Sequence, residues 1–135
     1  MPVFAHYDFD DTTTAAVDSA VGNGAQNGFY WNGASSSGGR AVLDGQDDIV
    51  KIYANPAFQM PRGTLEISFQ QAPGSVPDGP ETILSRDSAG VTDGGFRIQS
   101  FPDGSIRITH ESPSGTVNYT TGPGFQNPGD TINIS

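Results

Sequence analysis

The sequence predicts an all-β fold, an antiparallel β-sandwich, and three observations carry the prediction. Apolar and polar residues alternate in short runs spread along the whole chain. Eighteen Gly and ten Pro punctuate those runs. No window shows apolar residues recurring at the spacing of an amphipathic helix. The segment from Thr64 to Gln70 is the clearest case, with Leu65, Ile67 and Phe69 on one parity and Glu66, Ser68 and Gln70 on the other. Such a strand lays one wall against a core and the other against water.

Taken in order, Val3, Ala5, Tyr7 and Phe9 share one parity of a first strand, opposite Phe4, His6, Asp8 and Asp10. Thr12 to Ala20 has room for one helical turn before Gly22 and Gly24 end it. Phe29 and Trp31 form a short run, and Ala41 and Leu43 lead through Asp44-Gly45 into Ile49 to Tyr53. Beyond Thr64–Gln70 come Thr82 to Arg86, Phe96 to Phe101 and Ser105 to Glu111. Pro102-Asp103-Gly104 joins the last two as a hairpin turn. Val117 with Tyr119, then Ile132 with Ile134, make the final strands. About nine strands in two packed antiparallel sheets are expected. Trp31 and Phe69 are assigned to the core, since a sandwich must fill its interior with large apolar residues. Tyr30, on the parity opposite Trp31, is then the ring offered to a ligand.

A chain of 135 residues fits a single domain. Its formal charge is −9, from twelve Asp and three Glu against six basic residues. Arg40, Lys51, Arg62, Arg86, Arg97 and Arg107 stand singly, so no basic patch tracks a phosphate backbone or an anionic membrane surface. No apolar run reaches the length of a membrane-spanning helix. The chain has no cysteine, so stability is expected from the core or from bound ions. Met1-Pro2 opens without a basic or apolar leader. Asp130 to Ser135 reads as the interior of a strand. The expectation is a fragment of a larger protein, with an exposed sheet edge that a second copy can complete.

Four phrases, in order, carry a resemblance. They are Tyr7-Asp8-Phe9-Asp10-Asp11, Val17-Asp18-Ser19-Ala20-Val21-Gly22-Asn23-Gly24, Gly39 to Val50 around Leu43-Asp44-Gly45-Gln46-Asp47-Asp48, and Gly63 to Phe69. Together the chain resembles the laminin G-like, concanavalin A-like jelly-roll family over most of residues 4–70. The family's late strand pair and closing strand are not matched before Ser135, which implies an incomplete jelly roll over residues 1–135. The resemblance implies a recognition or adhesion module of a larger exported bacterial protein, extracellular or at the cell surface. Its partners would be a glycan and the other domains of the parent. It also implies a structural calcium ion beside the loop of Asp18 and Asn23.

Calcium takes oxygen ligands from carboxylates, amide side chains and loop carbonyls. The metal candidates are therefore Asp18, Asn23 and Asn27, in a glycine-rich loop free to turn its carbonyls inward. The competing reading is that all three cap and turn, as Asp and Asn ordinarily do. The ligand-binding candidates are Tyr30, Asp47 and Asp48. Asp44, Asp47 and Asp48 form a second acidic group, and Asp44-Gly45 is also an ordinary hairpin turn. Gly22, Gly24 and Gly28 lack the spacing and the following helix of a dinucleotide site.

No catalytic residue is assigned. Glu66, Glu81 and Glu111 are isolated and do not form the paired carboxylates of glycoside hydrolysis. His6 and His110 show no Ser or Asp relay in the sequence. A non-catalytic carbohydrate-recognition module is the reading. A structural or assembly domain with no small ligand, and the N-terminal part of a polysaccharide-degrading enzyme, are the alternatives.

Overall fold

The computed structural model describes residues 3–20, 25–55, 58, 63–75, 77–88 and 91–135. Among them the chain is all-β and antiparallel, without an α-helix. Two compact units divide it, Met1–Gln59 and Met60–Ser135.

The first unit holds β1 (Ala15–Ala16), β2 (Gly28–Trp31), β3 (Ser35–Ser36), β4 (Ala41–Val42) and β5 (Ile49–Ile52). A three-stranded sheet runs β1-β2-β5, and β3 pairs with β4 in a separate ladder. Ala16, Gly28 and Ile52 form one row across the sheet. Gly28 suits this row: a Cβ would be crowded, 3.0 Å from Ile52 Cγ1 and 3.2 Å from the Lys51 carbonyl oxygen. Beyond β2, Asn32 and Gly33 both have positive φ, and the Ala34 N–H donates to the Trp31 carbonyl. This is the primed two-residue turn that an Asn-Gly pair favours.

The strand expected from Val3 to Phe9 is reduced to a single bridge, Tyr7 to Asp18. Phe9 explains part of the difference, since its φ of 52° takes the chain out of the extended region. The turn of helix considered for Thr12–Ala20 is instead the two-residue strand β1.

The second unit holds β6 (Ile67–Gln70), β7 (Glu81–Ser88), β8 (Val91–Ser100), β9 (Ile106–Ser112), β10 (Gly115–Thr120) and β11 (Thr131–Ile134). A meander runs β7-β8-β9-β10, and β6 pairs with β11. Register places Leu84, Phe96, Ile98, Ile106, Ile108, Val117 and Tyr119 on one face of the meander. Ile98 and Ile106 at its centre are fully buried. Ile67, Phe69, Ile132 and Ile134 likewise share one face of the β6–β11 pair, all half-buried. The strand expected over Thr64–Gln70 therefore forms only in its second half.

The β8–β9 hairpin turns at Pro102-Asp103-Gly104. The Gly104 N–H donates to the Phe101 carbonyl, and Gly104 sits at φ 75°. A three-residue hairpin ending in a left-handed glycine is a standard solution. Asp103 Oδ1 accepts from the Ser105 hydroxyl at 2.7 Å and the Ser105 N–H at 2.9 Å, which holds its carboxyl below the usual range. The β10–β11 loop then lies on this turn: the Gly124 N–H donates to the Asp103 carbonyl and the Gln126 N–H to the Gly104 carbonyl.

A Cβ at Gly104 would collide with the Gln126 carbonyl oxygen and would also have to adopt the left-handed φ. Gly104→Ala is therefore expected to destabilise the protein by about 1–3 kcal/mol in urea unfolding. A variant as stable as the parent would remove this turn from the determinants of the fold.

Candidate functional site

The predicted metal residues are placed first. Asp18 is buried, with only 6% of its surface exposed. Its Oδ1 accepts from the His6 N–H and the Ala20 N–H, both at 2.9 Å, and its Oδ2 accepts from the Gln26 N–H at 3.0 Å. Its own N–H donates to Asn27 Oδ1 at 3.0 Å. Burial pushes the Asp18 carboxyl up, but the three backbone donors outweigh it and the net direction is down. Asn23 lies outside the described residues. The two described members of the set direct their oxygens at their own backbone. Backbone N–H groups thus account for the positions of both residues.

Asp18 also sets its surroundings. The Tyr7 hydroxyl donates to the Gln26 carbonyl, and burial first, then the Asp18 charge, pushes the Tyr7 phenol up to about 12. His6 Nε2 lies 3.2 Å from Asp8 Oδ1, and Ser19 Oγ lies 3.4 Å from His6 Nδ1. The Ser19 hydroxyl donates to Asp8 Oδ2 at 2.8 Å. Histidine, aspartate and serine thus meet, although no sequence relay was visible. The bridge from Tyr7 to Asp18 brings residues 6 and 8 beside residue 19. The Ser19 hydroxyl lies within hydrogen-bond distance of both the Asp8 carboxylate and the His6 ring, and the cluster fastens two segments.

The second acidic group does converge. Carboxylate oxygens of Asp44, Asp47 and Asp48 lie within 4.8 Å of one another. The turn itself accounts for the geometry: Asp44 Oδ1 accepts from the Gln46 N–H, and Asp48 Oδ2 accepts from the Asp44 N–H. Asp48 also stands over Gly33, where a Cβ would come within 2.9 Å of Oδ1. The Asn32 amide donates to the Asp47 carbonyl at 2.8 Å, tying this turn to the one after β2.

The two faces of the β1-β2-β5 sheet differ sharply. Tyr30 pairs with Val50 and lies on the face of Ala16 and Gly28. It is half-buried, and its hydroxyl donates to Asp11 Oδ2 at 3.0 Å. Burial first, and then the bond to Asp11, raises its pKa. It lines a pocket of about 410 Å³ with Asp11, the Thr12–Thr14 segment and Ser36. Tyr30 therefore ties the Asp11 loop to β2 through its hydroxyl.

The opposite face carries Phe29, Trp31, Ile49, Lys51 and Tyr53. Trp31, assigned to the core from its sequence parity, is 44% exposed, with Phe29 at 39% and Tyr53 at 54%. Phe29 and Tyr53 meet edge to face at 5.7 Å. Lys51 Nζ stands 5.5 Å from the Trp31 ring and 5.4 Å from the Tyr53 ring. Both distances fall within the reach of a cation–π contact. Sequence parity separated Tyr30 from Trp31 correctly but could not say which of the two faced solvent.

No family model, curated protein or solved structure matches the chain.

Asp18 is deprotonated more readily in the folded than in the unfolded chain. Its contribution to stability is present above the ordinary carboxylate pKa of about 4 and is lost as pH falls through the lower folded-state value. Asp18→Asn is expected to cost about 1–3 kcal/mol at neutral pH and to flatten this acid limb. Unchanged unfolding profiles from pH 7 to pH 2 would refute the assignment. Calcium, with EGTA reversal, is expected to leave the thermal midpoint where it is. A clear upward shift would instead mean that the native state binds the ion.

Proposed function

We propose that this chain is a non-catalytic recognition module for neutral glycans, built as a concanavalin A-like jelly roll and serving an exported bacterial protein at the cell surface. The observation that supports this reading is the exposed face of β2 and β5. Phe29, Trp31 and Tyr53 present rings to solvent on a sheet, where the backbone holds them at fixed spacing. Lys51 Nζ stands within cation–π reach of both the Trp31 and the Tyr53 ring, which joins them in one patch.

Ligand sites combine apolar and aromatic surface with a few placed polar groups. The C–H faces of a sugar pack on the rings, while its hydroxyls need partners at the edge. Because Trp31 pairs with Ile49, the turn of Asp44, Asp47 and Asp48 stands at one end of this face, and its exposed Asp47 carboxylate supplies an acceptor. Lys51 supplies a donor between the rings. The net charge of −9 repels polyanions, which favours neutral saccharides over acidic ones. Singly exposed apolar residues are ordinary, but a contiguous patch of this kind marks a binding surface.

Trp31 is the only tryptophan, so its fluorescence reports on this face alone. A glycan array followed by fluorescence titration should yield a neutral oligosaccharide that perturbs the Trp31 emission. Trp31→Ala should weaken its binding about tenfold or more, as removal of a central aromatic anchor does. Tyr30→Phe, on the opposite face, should bind as the parent does. An array without a binder, or a Trp31→Ala protein of parental affinity, would refute the proposal.

A further inference from the structure

Among the described residues, two side-chain oxygens are buried without a hydrogen-bond partner: Asp48 Oδ1 in the acidic turn, and Gln126 Oε1. Gln126 is only 4% exposed. A buried acceptor left unpaired is rare in folded proteins and points to a missing partner. Gln126 belongs to the β10–β11 loop and lines a pocket of about 150 Å³ within the second unit. That pocket lies among three connections: the loop after β6, the β8–β9 turn and the β10–β11 loop. Backbone bonds fix these to one another. The Gly124 N–H donates to the Asp103 carbonyl at 2.7 Å, the Gln126 N–H to the Gly104 carbonyl at 2.8 Å, and the Gly129 N–H to the Gln71 carbonyl at 3.0 Å.

The side-chain donors that line the pocket already have acceptors. Gln71 Nε2 donates to the Ser75 carbonyl at 3.1 Å, the Ser75 hydroxyl to the Ala72 carbonyl at 2.9 Å, and Asn127 Nδ2 to Asp130 Oδ2 at 3.1 Å. What remains open is acceptor: Gln126 Oε1, together with the exposed carboxylate of Asp103. Asp103 is the one charged side chain among the described residues that line the pocket. The ring of Phe101 and the rings of Pro77, Pro102 and Pro128 supply its apolar wall.

We infer that this pocket binds an alkyl guanidinium, the head group of an arginine side chain or of a small molecule that carries the same group. A guanidinium is all donor and no acceptor, which suits a pocket whose open polar groups accept. It is planar and weakly hydrated, so it enters a slot walled by rings more readily than an ammonium does. Phe101 takes such a group within its own chain, since the Arg107 guanidinium carbon lies 4.5 Å from its ring centroid. The net charge of −9 draws cations toward the surface. The pocket is smaller than the roughly 300–1,000 Å³ of a drug-sized ligand site, and so is matched to a single head group. The last torsion of a glutamine turns in a broad well, so Oε1 meets an incoming donor with little motion of the chain.

An NMR titration with methylguanidinium should shift the Gln126 side-chain amide and the Gly104 and Gly124 backbone amides. Methylurea, planar and similar in shape but uncharged, should bind about tenfold more weakly or worse. Gln126→Met keeps the length of the side chain and removes the amide. It should melt at or above the parent temperature, because the amide oxygen has no partner to lose, and it should weaken methylguanidinium binding about tenfold. A peptide with one arginine flanked by glycines separates the two sources of the group. Tighter binding than methylguanidinium assigns it to a protein partner, and equal binding assigns it to a free small molecule. Silent pocket amides, which would leave water alone in the pocket, equal binding of methylurea, or parental binding by Gln126→Met would each overturn the inference. So would a large loss of stability in Gln126→Met, since the amide would then already be paired in the fold.

Discussion

The register of β2 between β1 and β5 is the constraint on which the first unit depends. A strand has a side-chain period of two, so a slip of one residue would exchange its faces completely. Tyr30 would then lie among the exposed rings, and Phe29 and Trp31 would face Ala16. Two local devices hold the register. Before β2, Asn27 accepts from the Asp18 N–H while Asp18 gathers the amides of His6, Ala20 and Gln26. After β2, the Asn32-Gly33 turn is tied to Asp47 through the Asn32 amide. Gly28 adds steric selection, because only a residue without Cβ lets Ile52 and the Lys51 carbonyl come so close.

This arrangement gives the acidic residues a structural role. A carboxylate is a compact cluster of acceptors. In a chain with short strands and long connections, many backbone N–H groups have no ladder to join. Asp11, Asp18, Asp44, Asp48, Asp103 and Asp130 each accept from at least one backbone N–H within a loop or turn. The excess of Asp over Glu follows, since the shorter side chain reaches the backbone of its own turn.

The all-β character was legible because alternation and turn residues are local signals. The β8–β9 hairpin was legible for the same reason: Pro102-Asp103-Gly104 needs no distant partner to form its turn. The exposed face was not. Alternation places Trp31 and Tyr30 on opposite sides, and the choice between inside and outside depends on what lies over each side. The sequence rule that large rings fill cores pointed Trp31 inward, whereas Tyr30 is the ring held by a loop, through Asp11. The meeting of His6, Asp8 and Ser19 was hidden likewise, because it is created by a bridge between residues 7 and 18, eleven residues apart, with no periodic signature. The strand expected at Val3–Phe9 failed on backbone conformation, as Phe9 shows with its positive φ.

Exposed apolar side chains on β2 with β5 and on β10 differ in the chemistry beside them. On β2 and β5 the rings surround Lys51 and end beside the acidic turn that precedes β5. On β10 the exposed Val117 and Tyr119 alternate with Thr116, Asn118 and Thr120, whose side chains can bond only locally, as Asn118 does with Thr109 and Thr120 with Arg107. What β10 offers outward is backbone. A backbone edge pairs with little regard to side-chain identity. A ring-bearing face recognises by shape and by a few polar contacts.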